Sequence, residues 1–352
     1  MGKVYDVIVI GGGQSALAVA YYLRRSGLNF LLLDKEPAPG GSWQYAWESL
    51  SLFSPAQWSS LPGVIAPGGA AYYPSRDETI AYLRDYEQRY NFPVERPVDV
   101  TSVSNVAGIF VLETPRGTYQ SRAVVSATGS FTNPIIPAIE GREEFGGVVI
   151  HSSEYRSPAA FVGQRVAVVG EGNSGAQILA ELSRVADTLW VTLKPPSFLP
   201  DEVDGRYLFD AATRQYEARR QGKDFRPPSL GQIVMVPSVK DARARDVLHS
   251  VPAFDRFMKN GIGWKDGRTE PVDAVIFCTG FRPSLKHLHP MLPVLPDGKA
   301  GTEGTRSTAV PGLWLVGYGN WTGFASATLI GVGRSAKKTV DEIVNYLIKH
   351  TL

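Results

Sequence analysis

The sequence predicts an α/β fold with two Rossmann-like dinucleotide-binding domains, the second inserted into the first. Two glycine-rich turns, at residues 11–16 and 170–175, each follow an apolar strand-like run and each precede a helix-like run. Two later apolar strands end alike, at residues 123–129 and 274–280, as expected for the closing strand of each domain. The length of 352 residues also suffices for two domains with separate cores.

The first glycine-rich turn lies inside a complete βαβ unit. Residues 4–10 predict a strand, 16–27 a helix, and 30–34 the next strand. Glycines in such a turn let a pyrophosphate approach the backbone, and the helix N-terminus attracts phosphate. An acid that ends the second strand accepts a hydrogen bond from a ribose 2′-hydroxyl. The residues predicted to bind the first dinucleotide are Gly11, Gly13, Gln14, Ser15, Asp34 and Lys35.

The second turn repeats the pattern, with strands at residues 165–170 and 188–193 around a helix at 174–187. Lys194 follows the last strand where an NAD site would carry an acid, and a cation there suits a 2′-phosphate. We therefore expect NADPH to be preferred and NADH also to be accepted, because one lysine makes a weak phosphate site. The predicted ligands of the second dinucleotide are Gly170, Gly172, Asn173, Ser174, Gly175 and Lys194.

Composition narrows the classes of partner. The formal net charge is +2 and the charges are interspersed, which does not favour nucleic-acid binding. No apolar run approaches the roughly 18 residues of a membrane span, and the first strand begins too early for a signal peptide. We expect a cytoplasmic protein that acts on small molecules, without a membrane or nucleic-acid partner. The oligomeric state is left open, with a homodimer as one possibility.

Few side chains are candidates for chemistry of their own. The single cysteine, Cys278, can form neither an internal disulfide nor the dithiol pair of disulfide-reducing flavoenzymes. The five histidines form no metal-ligand pattern, so no metal is expected. Neither glycine-rich turn completes a GxSxG nucleophile motif. This pattern is typical of enzymes whose cofactor carries the reaction.

Between the two turns, a loop rich in aromatic residues covers positions 37–63. We interpret it as wrapping a flat isoalloxazine ring, with a surface loop holding a minor aromatic cluster as the alternative. Residues 75–91 predict an amphipathic helix, in which Ser75 and Glu78 form a capping box.

The order of these elements predicts the domain boundaries. The second domain is expected at residues 151–280, while 1–150 and 281–352 together form the first. In the returning segment, residues 313–333 predict a strand, a glycine-rich turn and a helix start, and 339–350 predict the closing helix. The first domain is therefore assigned to a flavin dinucleotide and the second to a nicotinamide dinucleotide.

A fingerprint between the two turns narrows the family. Phe145, Gly147, His151 and Tyr155 fit the pattern FxGxxxHxxxY. On this pattern and the two turns, nearly the whole chain resembles the class B flavin-containing monooxygenases, especially their short bacterial members. Tyr155 stands where Baeyer–Villiger monooxygenases usually carry tryptophan, which indicates the heteroatom-oxidising branch. Residues 49–63 are also similar to small monooxygenases found in arsenic-resistance operons.

The resemblance assigns further residues. Phe53, two residues before Pro55, stands where many family members carry an asparagine beside the flavin, and Ser54 is adjacent to it. Leu193 and Lys194 replace the family's usual Arg and Thr. Phe53, Ser54 and Asn320 are expected near the flavin ring as the candidate catalytic residues, whereas His151 is expected to be structural. The further cofactor-binding residues implied are Gly41, Trp43, Ala127, Thr128, Gly129, Thr279, Gly280, Gly319 and Asn320.

The resemblance implies an FAD-dependent monooxygenase that uses NAD(P)H and O2. Hydride transfer to FAD, followed by O2 addition, would give a C4a-(hydro)peroxyflavin that oxygenates a thioether or amine, with some Baeyer–Villiger activity also expected. The alternative is an NAD(P)H-dependent flavin reductase or oxidase, because Phe53 replaces the asparagine and weak stabilisation of the peroxide would release it. A redox sensor that signals to a partner is the non-catalytic reading.

Overall fold

The computed structural model describes residues 3–201, 203, 214, 218, 221 and 232–350. The chain forms two compact units, the first made of Met1–Gln44, Pro55–Asn133 and Arg282–Leu352, the second of Tyr45–Ser54 and Pro134–Phe281. The predicted α/β fold with two Rossmann-like domains, the second inserted into the first, is confirmed. The predicted boundaries differ from these units in three places: residues 45–54, residues 134–150 and Phe281 belong to the second unit.

The described strands and helices are as follows in chain order. The strands are β1 (Val4–Ile10), β2 (Phe30–Leu33), β3 (Val94–Glu95), β4 (Ser102–Val106), β5 (Ile109–Thr114), β6 (Gly117–Ser126), β7 (Val148–His151), β8 (Arg165–Val169), β9 (Asp187–Thr192), β10 (Ser250–Pro252), β11 (Arg256–Met258), β12 (Gly261–Gly263), β13 (Thr269–Pro271), β14 (Ala274–Phe277), β15 (Thr302–Glu303), β16 (Arg306–Ser307) and β17 (Leu313–Leu315). The helices are α1 (Gln14–Leu23), α2 (Arg76–Tyr90), α3 (Asn173–Leu182), α4 (Pro237–Ala244) and α5 (Val332–Lys349).

The first unit is built on one mixed sheet with the order β15-β16-β17-β6-β1-β2-β3, and the β4–β5 hairpin joins it through β6. The pairs from β17 to β3 are parallel, so their carboxyl ends meet at one edge. Strand β1 lies between β6 and β2, and its last four residues are buried. Such an apolar run is typical of a parallel strand covered on both faces.

The helices of the first unit begin and end where local chemistry dictates. Ser75 and Glu78 form the predicted capping box at the start of α2, and Asn91 ends that helix in the left-handed conformation. Helix α1 ends earlier than predicted, at Leu23, because the chain turns there and Ser26 donates to the Leu23 carbonyl. Helix α5 begins earlier than predicted, at Val332, with Gly333 inside its first turn.

The aromatic loop at 37–63 contains two short 3-10 helices, Gly41–Tyr45 and Ala56–Trp58. Within the first unit, tyrosines of α2 hold the end of this loop. Tyr82 donates to the Val64 carbonyl at 2.6 Å and accepts from the Leu61 N–H at 2.7 Å, and Tyr86 donates to the Pro62 carbonyl at 2.7 Å. The loop is therefore fixed by hydrogen bonds from buried hydroxyls.

The second unit has a five-stranded parallel sheet with the order β10-β9-β8-β14-β7 and a separate antiparallel sheet, β11-β12-β13. Its cores contain Trp190 of β9, Val168 of β8 and Ile276 of β14, all buried. Segment 45–54 joins this unit, since Arg156 donates to the Tyr45 carbonyl and the Glu48 N–H to the Arg156 carbonyl. No helix in the described ranges has the length and apolar character needed to cross a bilayer.

Candidate functional site

In the first unit, the predicted glycine-rich turn connects β1 to α1. Gly11 has φ +115°, and a Cβ there would lie 2.7 Å from the carbonyl oxygen of Ala127, at the end of β6. Gly13 directly precedes α1 and lies against Gly41, where a Cβ would come within 2.7 Å of the Gly13 α-carbon. The structure therefore brings together the turn, the Gly41 segment and the end of β6, as the sequence predicts for one cofactor site.

Asp34 follows β2, and its carboxylate lies over the turn. The residue is 3% exposed, and a Cβ on Gly12 would lie 2.2 Å from its Oδ2. Arg96 donates from Nε to the same oxygen at 2.7 Å and binds both oxygens of Glu87, at 2.6 and 2.7 Å. Burial raises the pKa of Asp34, and the Arg96 hydrogen bond and charge oppose that rise. Lys35 points to Glu36 instead, at 3.7 Å.

Gln14 and Trp43 connect three predicted segments of the first unit. The Trp43 indole N–H donates to Gln14 Oε1 at 3.0 Å, and Gln14 Nε2 donates to the Ala327 carbonyl at 2.6 Å. Ser15 is buried against Gly317, where a Cβ would lie 1.9 Å from its Oγ. The start of α1 is thus packed tightly against the chain that follows β17.

A buried polar network joins the ends of β6 and β17. The Tyr318 hydroxyl lies 2.6 Å from Ser126 Oγ and 2.8 Å from Thr128 Oγ1, and Thr128 also donates to the Ser284 carbonyl. His287 Nε2 lies 3.2 Å from Ser126 Oγ. Burial lowers the pKa of His287 to about 4, so the ring is neutral at pH 7. The network fixes the segment that carries the predicted residues Ala127, Thr128 and Gly129.

Asn320 lies in the short 3-10 helix Gly319–Thr322 and is exposed. Its Oδ1 accepts a hydrogen bond from the Ala325 N–H at 3.2 Å. The side-chain oxygen therefore serves a local turn. Gly319 has φ +82°. The predicted roles of both residues beside a flavin stay predictions.

In the second unit, the second glycine-rich turn connects β8 to α3. Gly170 has φ +133°, and a Cβ there would lie 2.5 Å from the Cys278 carbonyl oxygen. A Cβ on Gly175 would lie 2.2 Å from the Gly170 carbonyl oxygen. These two glycines are therefore required by close backbone packing. A Cβ on Gly172 would meet no atom within 4 Å among the described residues, so the backbone there is open to a ligand.

The other residues predicted to bind the second dinucleotide differ in their contacts. Asn173 accepts from the Val234 N–H at 2.8 Å and donates to the Gln232 carbonyl, so its amide holds a neighbouring segment. Ser174 is half-buried in the first turn of α3. Lys194, after β9, is exposed. The Leu193 N–H, one residue earlier, donates to Glu171 Oε2 at 3.3 Å.

The closing strand and the 53–54 segment also lie in the second unit. Thr279 donates from its hydroxyl to the Ile135 carbonyl, and the Ile135 N–H donates to the Gly280 carbonyl. Phe53 is partly buried against Leu199 and Val234, and Ser54 is 6% exposed. Phe53 and Ser54 therefore belong to the same unit as the second glycine-rich turn, and their predicted catalytic role stays a prediction.

The fingerprint residues belong to the core of the second unit. A Cβ on Gly147 would lie 2.2 Å from the Asp273 carbonyl oxygen, and the Phe145 ring packs on Phe257. His151 is fully buried, and burial lowers its pKa. Its Nδ1 accepts a hydrogen bond from the Ser153 N–H, and its ring packs edge to face against the Phe281 ring. Tyr155 stacks on the Phe161 ring, and burial raises its pKa. These contacts support the structural role expected for His151.

The lone thiol offers no reactive group. Desolvation raises the pKa of Cys278 to about 12, so the thiol stays protonated at pH 7. Among the residues that the structure describes, no three His, Cys, Asp or Glu side chains converge as a metal site requires.

The two turns fit the diphosphate of a dinucleotide. Within the described residues, neither α1 nor α3 has a side-chain cap or an acid in its first turn. Phosphate oxygens would meet N–H groups and the positive end of the helix dipole without a competing carboxylate in the first turn of either helix. FAD would fit at Gly13 and Asp34 of the first unit, and NADPH at Gly172 of the second.

Sequence reasoning missed Arg96, Tyr318 and His287. Arg96 lies 62 positions from Asp34, and Tyr318 lies 190 positions from Thr128. No local spacing connects such residues.

Comparisons with known proteins agree with this geometry. The pyridine nucleotide-disulphide oxidoreductase family matches residues 8–220. The oxidoreductase CzcO of Bacillus subtilis is 31% identical, covering 97% of this chain and 99% of that protein. The indole-3-pyruvate monooxygenase YUCCA8 of Oryza sativa is 28% identical, covering 96% of this chain and 90% of that protein. The structure of a flavin-containing monooxygenase from Stenotrophomonas maltophilia has a TM-score of 0.90 at 48% identity, covering 98% of this chain and 100% of that chain.

Proposed function

The chain belongs to the pyridine nucleotide-disulphide oxidoreductase family, among its flavin-containing monooxygenases, and we propose that it oxygenates sulfur or nitrogen in small molecules. It is an oxidoreductase that uses FAD and NADPH, and flavin-dependent monooxygenation is its reaction class. Its co-substrate is O2, and its organic substrate is a small molecule.

The observation that carries this proposal is the combination of two dinucleotide turns with a single, protonated thiol. The turns at Gly13 and Gly172 each present an uncapped helix N-terminus within the described part of the chain. Flavoenzymes that reduce disulfides pass electrons through a reactive protein thiol and commonly through a pair of them, whereas this chain has only Cys278, whose pKa burial raises to about 12. A route for electrons through a protein thiol is therefore disfavoured, and O2 is the acceptor in this proposal.

The cofactor residues follow from the two turns. In this proposal, Gly11, Gly13 and the first turn of α1 bind the FAD pyrophosphate, and Asp34 accepts from its adenosine ribose. Gly170, Gly172 and the first turn of α3 bind the pyrophosphate of NADPH in the same way.

Bound FAD supplies the redox chemistry, because it accepts a hydride from NADPH and activates O2. In balance, one oxygen atom enters the substrate, the other leaves as water, and NADPH and one proton are consumed. The protein orients the reactants and excludes water. In this proposal Trp43 lies beside the flavin ring, positioned through Gln14.

The substrate class is inferred from two residues. Tyr155 stands where the Baeyer–Villiger branch usually has tryptophan, which favours heteroatom oxidation over lactone formation. Its hydroxyl is buried in the core, so we place it among the structural residues rather than at the substrate. Phe53 contributes an apolar, partly buried side chain that suits an uncharged substrate such as a thioether. A cytoplasmic location, also proposed, fits a chain that can form no internal disulfide.

Product analysis with labelled oxygen tests the proposal. The flavin-loaded enzyme is supplied with NADPH, ¹⁸O₂ and methyl phenyl sulfide, and hydrogen peroxide is measured in parallel. We expect labelled sulfoxide in proportion to NADPH oxidised, and the same yield when catalase removes free peroxide. A second assay with a tertiary amine, read out as its labelled N-oxide, covers nitrogen.

The reductase or oxidase alternative gives a different result. NADPH would then be oxidised with matching release of hydrogen peroxide, and neither labelled product would form. Rapid mixing of the reduced enzyme with O2 separates the two further. Monooxygenation predicts a transient absorbance whose decay quickens with the thioether, whereas direct return of the oxidised flavin spectrum would overturn the proposal.

A further inference from the structure

The second dinucleotide turn lacks the acid that usually ends its second strand. Strand β9 ends at Thr192, and Leu193 and Lys194 follow. In an NAD site, an acid at this place accepts from the 2′-hydroxyl of the adenosine ribose. Judged only by the residues that follow β9, the site would therefore offer the 2′-position a cation, Lys194, and no carboxylate.

The structure supplies a carboxylate to this place from a different strand end. Glu171 is the second residue of the glycine-rich turn after β8, and its Oε2 accepts from the Leu193 N–H at 3.3 Å. Strands β8 and β9 are parallel neighbours, with Val169 opposite Val191, so their carboxyl ends lie side by side. The hydrogen bond therefore holds a carboxylate at the end of β9.

We propose that Glu171 takes the place of the ribose-binding acid and sets the preference of this site between NADH and NADPH. Its carboxylate accepts from a free 2′-hydroxyl and repels a 2′-phosphate, which Lys194 attracts from the exposed end of the same strand. The two opposite charges would let the site accept both nucleotides, as expected from the sequence. This inference rests on the proposed assignment of NAD(P)H to the second unit.

Two substitutions separate the charge of Glu171 from its hydrogen bond. E171Q removes the charge and keeps an oxygen that accepts from a hydroxyl, whereas E171A removes both. The control is D187N at the amino end of β9, which removes the same charge from an exposed side chain bound to Arg165. A six-residue strand puts Asp187 roughly 16 Å from the carboxyl end.

Calorimetry on the flavin-loaded protein tests the inference without turnover. The probes are 2′,5′-ADP and 5′-AMP, which differ only in the 2′-phosphate. We expect both Glu171 variants to bind 2′,5′-ADP roughly tenfold more tightly than wild type, because a nearby like charge is removed. E171Q should bind 5′-AMP several-fold more weakly than wild type, because its hydrogen bond to the 2′-hydroxyl is no longer charge-assisted, and E171A should bind it more weakly still. The ratio of kcat/KM for NADPH over NADH should rise in both variants, and D187N should match wild type.

The outcomes distinguish this inference from the function on which it rests. If wild type binds both probes but E171Q changes the 2′,5′-ADP affinity no more than D187N does, the role of Glu171 is wrong and the cofactor assignment stands. If wild type binds neither probe and oxidises neither NADPH nor NADH, both the inference and the proposed function are wrong.

Discussion

Arg96 donates from Nε to Oδ2 of Asp34 at 2.7 Å, and the same guanidinium binds both oxygens of Glu87. Two carboxylates thus share one buried cation beside the first glycine-rich turn. Such a cluster costs free energy by desolvation and is weak evidence for stability. We interpret it instead as holding a charged Asp34 ready for a ribose hydroxyl.

D34N should therefore separate stability from cofactor binding. Because burial raises the pKa of Asp34 in the folded protein, the carboxyl contributes stability below its unfolded pKa, and that contribution is lost as the pH rises through the folded pKa. At pH 7 the flavin-free D34N variant should unfold at the same or a higher denaturant concentration than wild type. Its FAD dissociation constant should rise roughly tenfold, since a charge-assisted hydrogen bond is lost.

The matched control for D34N is D85N, which removes a carboxylate that is 67% exposed on α2. D85N should change neither the unfolding midpoint nor the FAD affinity, because exposed ion pairs contribute little. Denaturant titration and flavin fluorescence provide the two measurements. An unchanged FAD affinity in D34N would contradict the role given to this carboxylate.

His287 should make the first unit sensitive to acid. Its pKa of about 4 lies below the ordinary value of 6.5, because the folded protein disfavours the charged ring. Its contribution is thus fully present above pH 6.5 and is lost as the pH falls toward 4. The loss amounts to roughly 3 kcal/mol, at about 1.4 kcal/mol for each pKa unit. Ser126 lies within hydrogen-bond distance of the His287 ring, and the charge of His289 lowers the pKa of His287 further.

H287Q should flatten this pH dependence. The free energy of unfolding is measured at pH 7 and pH 4.5 for wild type, H287Q and the control H249Q. His249 is 75% exposed and pairs with Asp246, so H249Q should keep the wild-type difference between the two pH values. An undiminished difference in H287Q would show that another group causes the acid sensitivity.

Y318F tests whether the polar network at the end of β6 supports flavin binding. The variant removes a hydroxyl that lies within hydrogen-bond distance of Ser126 and Thr128. We expect about 1–3 kcal/mol of destabilisation, because buried polar partners lose a hydrogen bond. The FAD dissociation constant should also rise. The control is Y72F, whose exposed hydroxyl donates to Glu78 at the start of α2 and which should leave FAD affinity unchanged.

The sequence could predict the parts of the site that depend on local pattern. Strand β1, the turn at Gly11 and Asp34 follow one another within a few dozen residues, so periodicity and spacing were sufficient. The Ser75 capping box was predictable for the same reason. The helix ends were less predictable, because α1 ends at Leu23, where the Ser26 hydroxyl donates to the Leu23 carbonyl, and α5 includes Gly333 in its first turn.

The partners of these residues could not be read from the sequence. Arg96 meets Asp34, and Tyr318 meets Thr128, only after distant strands have aligned in one sheet. The placement of the Glu171 side chain could not be predicted either, although Glu171 and Leu193 are close in sequence. Glu171 was visible inside the glycine-rich turn, but its placement at the end of β9 depends on a side-chain rotamer and on the alignment of two strands.

Gly172 and Gly175 belong to one motif but should respond differently to alanine. Gly172 has φ −94°, which any residue adopts, and a Cβ there would meet no atom within 4 Å among the described residues. G172A should therefore fold with a free energy of unfolding within about 0.5 kcal/mol of wild type. It should retain FAD but bind NADPH at least roughly tenfold more weakly, because the new methyl group occupies the path of the pyrophosphate.

G175A is the comparison, because its Cβ would lie 2.2 Å from the Gly170 carbonyl oxygen, and backbone must move to relieve that contact. It should lose stability by more than about 1 kcal/mol, as overpacking does. Thermal unfolding and NADPH titration of the flavin-loaded proteins give both quantities. A G172A protein with wild-type NADPH affinity would mean that the pyrophosphate does not pass over Gly172. Nucleotide binding would then have to be assigned to another part of the second unit.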